Sequence, residues 1–131
     1  MKRLVVVLAS GSLADPKPAL LAFRYAATAA AMDIGVEIHT LGESVSLLRR
    51  DASQEPLEAS EKSLNPAMSS RDFLSQIREM KALNIEIYAC SAALAEAGLS
   101  MSDLISEVSG VRGAAALLVA GLASAARLLT F

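Results

Sequence analysis

The chain has 131 residues, which is enough for one domain, here residues 1–131, with a full hydrophobic core. A formal net charge of −2 and an aromatic content of 4% argue against the basic surface and base-stacking platforms of nucleic-acid-binding proteins. The single cysteine excludes an intrachain disulfide framework and a thiol-based metal cluster, and it fits a reducing, cytoplasmic location.

Two apolar segments resemble membrane-directed sequences but are too short for that role. Met1-Lys2-Arg3 followed by Leu4–Ala9 imitates a signal peptide, yet the apolar run has only six residues. The run from Ala114 to Ala126 is interrupted by glycine and serine and falls short of the roughly 20 residues that span a bilayer. We therefore expect a soluble protein without a membrane partner.

The first third of the chain predicts two strands around a helix. Leu4–Ala9 is a continuous apolar run, typical of a parallel strand covered on both faces. Asp15 is the predicted N-cap, with Pro16 at the first position of a helix that continues to about Met32. The second strand is predicted at 36–41, between two glycines, and a short helix at 44–49.

The middle of the chain predicts a long connection and a second amphipathic helix. Asp51–Pro66 is a polar, proline-containing loop, and loops of this length are usually functional or mobile. Ser69 and Asp72 have the spacing of a capping box. An apolar stripe at helical spacing follows it: Phe73, Leu74, Ile77, Met80 and Leu83.

The last third predicts alternating short elements. Ile85–Cys90 is the third strand, and a short helix follows it to Ala97, with Gly98 as the C′ residue. A second short helix capped by Ser102 precedes a few strand residues near Val108. An alanine-rich helix to about 124 and a terminal strand at 127–131 complete the chain. Strands that alternate with helices predict a three-layer α/β/α fold with a mainly parallel sheet of about five strands.

Cys90 is the strongest candidate for chemistry because it stands where a strand ends and a helix begins. Ligand crevices in open α/β sheets lie at the carboxyl ends of the strands. A helix amino terminus there supplies unpaired N–H groups and a positive dipole end, both of which favour the reactive thiolate. The alternative is that Cys90 is an inert, buried small hydrophobe, as lone cysteines often are.

Small residues at neighbouring strand ends are the predicted walls of a sulfur pocket. They are Ser10 and Gly11 after the first strand, Thr40 and Gly42 after the second, and Ser91 after the third. Their backbone N–H groups could approach a sulfur anion, although the same residue types are ordinary in turns.

The charged residues near the strand ends give weaker signals. His39, the only histidine, lies on the strand face opposite Thr40 and could assist Cys90, but nothing marks a third group to hold it as a base. Glu37 and Glu86 are expected to be solvated. The Gly110-x-x-Gly113 pattern at a helix start could cradle an anion, with Arg112 adding charge, but a tight turn explains it equally well.

The order of these features resembles the DsrE/DsrF-like family of small sulfur-relay proteins. The resemblance covers nearly the whole chain and is most specific at Ile87-Tyr88-Ala89-Cys90-Ser91, which continues through Gly98-Leu99-Ser100 to Gly110-Val111. The family pattern often has glycine where Asp33 stands. Some members carry a second cysteine, which this chain lacks, so release of sulfur through an internal disulfide is not implied.

The resemblance implies that Cys90 holds sulfane sulfur as a persulfide and passes it to a partner thiol. It implies homotrimers or hexamers, rhodanese-like and TusA-like donor and acceptor proteins, and no metal or other cofactor. The hypothesis is therefore a cytoplasmic sulfur carrier or sulfurtransferase. The alternative is a non-catalytic assembly or binding subunit in which Cys90 is a packing residue, and solvent access to the sulfur separates the two.

Overall fold

The computed structural model describes residues 2–50 and 70–131, which build a five-stranded sheet in which every pair of neighbouring strands is parallel. The strands are β1 (Arg3–Leu8), β2 (Gly35–Thr40), β3 (Glu86–Cys90), β4 (Gly110–Arg112) and β5 (Ala126–Thr130), in the spatial order β4-β3-β2-β1-β5. The helices are α1 (Lys17–Ala31), α2 (Ser70–Ala82), α3 (Ser91–Ala97) and α4 (Ala114–Gly121), with 3-10 helices at Gly42–Leu48 and Met101–Asp103. The predicted α/β/α class is confirmed, whereas the loop at 51–66 and the cap at Ser69 lie outside the described residues.

The two faces of the sheet are covered unequally. Helices α1 and α2 pack side by side over β1, β2 and β3, and with the first 3-10 helix and α3 they enclose the main core. The short helix α4 packs over β1, β4 and β5 on the other face. That second face therefore has only a thin cover, and it carries the polar side chains of the central strands.

The periodic apolar pattern of α2 is confirmed by its packing. Phe73, Ile77 and Met80 are buried, and the ring of Phe73 lies 5.4 Å from that of Phe23 in α1. Leu83 lies past the end of the helix and is largely exposed. The helix pair α1 and α2 stabilises the fold, since burial of each large apolar side chain contributes about 1.5 to 3 kcal/mol to the free energy of folding.

Two predicted helix caps are displaced by one or two residues. Helix α1 begins at Lys17 with Pro16 as its N-cap, and the Asp15 N–H instead closes a turn onto Ser12. The second short helix is capped by Ser100, whose reciprocal hydrogen bonds with Asp103 form a capping box, so the assignment to Ser102 was wrong. A cap is fixed by local hydrogen bonds. Where several serines or prolines stand close together, the sequence does not show which of them is the cap.

Three turns after helices use the left-handed backbone conformation. Gly98 has φ of 69° and ends α3 as predicted. Asp33 and Asn84, with φ of 61° and 63°, make the corresponding turns into β2 and β3. This conformation favours glycine and tolerates asparagine and aspartate, which agrees with the residue types at these three turns.

The parallel arrangement brings the carboxyl ends of β1 to β4 to one edge of the sheet. Cys90 ends β3 at that edge, and it is paired in register with Arg112 of β4. Within the described parts of the chain, no helix has the length and apolarity that a bilayer crossing requires.

Candidate functional site

Cys90 is the last residue of β3 and the N-cap of α3, and its side chain is partly exposed. It lines an open cleft of about 200 Å³, a volume that includes the solvent-facing mouth. The cleft lies on the α4 face of the sheet and is lined by His39, Leu41, Cys90, Arg112, Gly113, Ala114 and Leu117. Cys90 therefore borders an open cleft at the edge where α/β proteins bind ligands.

The corner between β4 and α4 forms one wall of this cleft. Gly113 is the N-cap of α4 and Ala114 its first residue, so the amino terminus of this helix opens into the cleft beside Cys90. Arg112 also lines the cleft on this side, and its guanidinium contacts Tyr88 and Glu37. The Gly110-x-x-Gly113 pattern, far from Cys90 in the sequence, therefore lies next to it in the fold, with the polarity that favours an anion.

The other predicted pocket residues are not among those that line the cleft. The Thr40 hydroxyl is buried on the opposite face of the sheet and donates to the Tyr88 carbonyl over 3.1 Å. The Gly11 N–H donates to the Glu43 carboxylate over 3.1 Å, and Ser10 is exposed in the same loop.

Gly42 and Ser91 have structural positions near the edge. Gly42 begins the first 3-10 helix with φ of 56°, where an added Cβ would lie 3.2 Å from the Ala9 carbonyl oxygen. Ser91 is exposed at the start of α3, and its Oγ lies 3.5 Å from the position of a Cβ added to Gly113. The Ser91 side chain therefore lies beside Gly113 of the cleft wall, although Ser91 does not itself line the cleft.

Glu37 is buried, contrary to the expectation that it is solvated. Its carboxylate is 1% exposed, receives a 2.5 Å hydrogen bond from Arg3 Nη2 through Oε2, and lies 3.0 Å from His39 Nε2 through Oε1. Burial raises the pKa of Glu37, but the hydrogen bonds from Arg3 and His39 outweigh it and hold the pKa below its usual value. Glu37 is therefore the ionised third group that the sequence did not reveal.

A polar cluster extends from this glutamate across the sheet. It comprises Arg3, Glu37, His39, Glu86, Tyr88 and Arg112. The Arg112 guanidinium stacks on the Tyr88 ring at 3.7 Å from its centroid, donates to its hydroxyl over 2.9 Å and lies 3.8 Å from Glu37. Glu86, by contrast, is partly exposed, as expected, and accepts a 2.6 Å hydrogen bond from the Tyr88 hydroxyl.

The cluster fixes the groups that border the cleft. Burial and the hydrogen bond to Glu86 raise the pKa of Tyr88, so that its hydroxyl remains a donor. The rings of His39 and Tyr88 lie 5.3 Å apart, and both are buried. His39 and Arg112 thus belong both to the cluster and to the wall around Cys90.

No group of three or more histidine, cysteine, aspartate or glutamate side chains in residues 2–50 and 70–131 has the arrangement of a metal site. The fold and the site define a small parallel α/β/α protein with a partly exposed cysteine at the carboxyl edge of its sheet. The chain belongs to the DsrE/DsrF-like family, whose model matches residues 3–131. The family is one of small sulfur-relay proteins.

Two solved structures share the fold over their full lengths. The YchN protein from E. coli is similar with a TM-score of 0.76 at 16% identity, and both chains are covered to 100%. The protein of unknown function MTH1491 from Methanobacterium thermoautotrophicum is similar with a TM-score of 0.71 at 17% identity, again with 100% of both chains covered. No curated protein sequence matches this chain significantly.

Proposed function

We propose that the protein is a sulfur carrier that binds sulfane sulfur as a persulfide on Cys90 and passes it to a partner thiol. The observation that carries the proposal is that Cys90 is a partly exposed residue that lines an open cleft in a fold of this family. A sealed sulfur would have favoured the alternative, in which Cys90 only packs. The amino terminus of α4, which opens beside Cys90, further supports the proposal because a helix amino terminus favours an anion.

In the proposed reaction the Cys90 thiolate attacks the outer sulfur of a donor persulfide. A bond forms between Sγ and the transferred sulfur, the donor S–S bond breaks, and the donor leaves as a thiolate. An acceptor thiolate then attacks the same sulfur and regenerates the Cys90 thiolate. These two transfer steps require an exposed sulfur and no metal or organic cofactor.

The donors and acceptors in this proposal are proteins that present a persulfide or a thiol, such as rhodanese-like and TusA-like proteins. A carrier with one unpaired thiol fits a reducing compartment, so the proposal includes a cytoplasmic location. The carrier has no second cysteine within the chain, and sulfur therefore leaves directly to the partner.

Assembly into a homotrimer or hexamer is part of the same proposal. An apolar patch on α4 and β5, formed by Leu118, Val119, Leu122 and Leu128, supports it. Val119 is 76% and Leu122 80% exposed, and α4 contains no charged residue. Contiguous exposed apolar surface of this kind marks sites of protein association.

Intact-mass spectrometry after incubation with polysulfide tests the carrier function. The wild-type chain is expected to gain one or more sulfur atoms, which a reductant removes, and Cys90→Ser is expected to gain none. Ser106→Ala, at an exposed position that does not line the cleft, is the control; it retains the thiol and is expected to load. Absence of any adduct on the folded wild-type protein, or equal loading of Cys90→Ser, would contradict the proposal.

A further inference from the structure

The ring of His39 is held in one orientation by Glu37. His39 is 4% exposed, and its Nε2 lies 3.0 Å from the Glu37 carboxylate. Because that carboxylate is ionised and can only accept hydrogen bonds, the proton of a neutral ring belongs on Nε2. The second ring nitrogen, Nδ1, then carries a lone pair.

Nδ1 is free to accept a proton from the cleft. Nδ1 has no hydrogen-bond partner within residues 2–50 and 70–131. In the same residues, every fully buried side-chain nitrogen or oxygen atom has a hydrogen-bond partner. Nδ1 is therefore open to solvent rather than sealed in the core. The opening that His39 lines is the Cys90 cleft.

The strand register places His39 and Cys90 on the same face of the sheet. His39 is paired with Tyr88, and Cys90 lies two residues further along β3, so the two are diagonal neighbours. Both side chains therefore project from this face, and both residues line the same cleft.

We propose that His39, oriented by Glu37, is the proton acceptor for the Cys90 thiol. This inference rests on the proposed function and specifies how its nucleophile forms. The remaining charged or titratable groups around the ring are Arg3 on β1, Tyr88 and Glu86 on β3 and Arg112 on β4, and α4 contributes none.

The proton and the sulfur atom are both accounted for in this step. The Sγ–H bond breaks and the proton moves to Nδ1, which gives a thiolate and an imidazolium stabilised by the Glu37 carboxylate. The thiolate takes the outer sulfur of the donor persulfide, and the donor thiolate that leaves receives the proton from Nδ1. No external oxidant or reductant is needed because the sulfane sulfur changes only its thiol partner.

Alkylation kinetics with iodoacetamide test the proton acceptor without any sulfur donor. His39→Gln is expected to lower the rate at about pH 7 by about tenfold or more, since positioned acid–base groups contribute at least that much. At about pH 10, where hydroxide ionises accessible thiols, His39→Gln and the wild type are expected to react equally fast. Glu37→Gln is also expected to lower the alkylation rate at neutral pH. If His39→Gln does not fold, Glu37→Gln is the variant that tests the proposal.

Ile77→Val in α2 is the matched stability control. It removes one methyl group from the core on the opposite face and is expected to leave the alkylation rate unchanged at both pH values. Wild-type rates in folded His39→Gln at neutral pH would overturn the proposal, and so would an equal loss at both pH values, which would indicate a closed cleft. Alkylation tests the role of His39, and polysulfide loading tests the carrier function. If the protein fails to load sulfur, the alkylation rates still show whether His39 accepts the Cys90 proton.

Discussion

Arg3→Gln is expected to destabilise the fold by about 2 kcal/mol because it removes the closest partner of the buried Glu37 carboxylate. A hydrogen bond to a charged group contributes about 1.5 to 3 kcal/mol, and a buried charge left without any partner costs about 3 to 5 kcal/mol. The Glu37 carboxylate does not lose every partner in Arg3→Gln, since His39 at 3.0 Å and Arg112 at 3.8 Å remain. Arg3 is also 42% exposed, so water screens part of the attraction and the lower range applies.

Urea unfolding measures this difference, and Arg78→Gln provides the matched control. With a dependence of about 2 kcal/mol per molar urea, Arg3→Gln is expected to lower the midpoint by about 1 M. Arg78 pairs with Glu107 on the surface and is 64% exposed, so its loss is expected to cost at most about 1 kcal/mol. Equal midpoint shifts for the two variants would refute the assigned role of the buried carboxylate.

The ion pair between Arg3 and Glu37 also predicts how the stability of the fold depends on pH. The pKa of Glu37 is lowered in the folded state, so its contribution is fully present above the ordinary value of 4.5 and is lost as pH falls through the folded value. The stability difference between the wild type and Arg3→Gln is therefore expected to be constant near neutral pH and to shrink in acid. A difference that grows as pH falls below that range would contradict the assigned sign.

Two further substitutions test the apolar patch and the backbone at the strand edge. Val119→Lys is expected to reduce the assembly size measured by light scattering, whereas Ser106→Lys, a control on another surface, leaves it unchanged; a monomeric wild type would contradict the association. Gly42→Ala is expected to cost about 1 to 2 kcal/mol in urea unfolding because of its left-handed backbone and its close approach to a carbonyl. Gly35→Ala, which has an extended backbone and no close neighbour, is expected to cost less than about 0.5 kcal/mol, and equal costs would argue against strain at Gly42.

The fold was predictable because its main signals are local. Continuous apolar runs gave the buried parallel strands, and the stripe from Phe73 to Met80 gave α2. The strand position of Cys90 followed from the apolar run that precedes it and the turn at Gly98 that ends α3. Such patterns depend on neighbours within a few residues.

The polar cluster was not predictable in the same way because its partners are distant in the sequence. Arg3 lies 34 residues from Glu37, and only the parallel pairing of β1 with β2 brings them together. One signal was nevertheless present: residues 36–39 alternate apolar and polar side chains, a period that indicates a strand with one polar face. That alternation places Glu37 and His39 on the same face, where a carboxylate can hold an imidazole.

The residues predicted as pocket walls do not line the cleft, and for Thr40 the reason is strand parity. Proximity to a strand end does not decide which face a side chain occupies, and Thr40 points away from Cys90 although it ends the adjacent strand. Arg112 and Gly113 reach the cleft because β4 is paired with the last residues of β3. The sequence contained both features without showing that they meet.

Delivery of sulfur to an acceptor tests the central claim most directly. Persulfidated protein, freed of polysulfide, would be mixed with a small-molecule thiol, and the masses of both would be followed over time. The account predicts that the protein returns to its unmodified mass while the acceptor gains the sulfur. Sulfur that stays on Cys90, or that leaves without appearing on the acceptor, would contradict it.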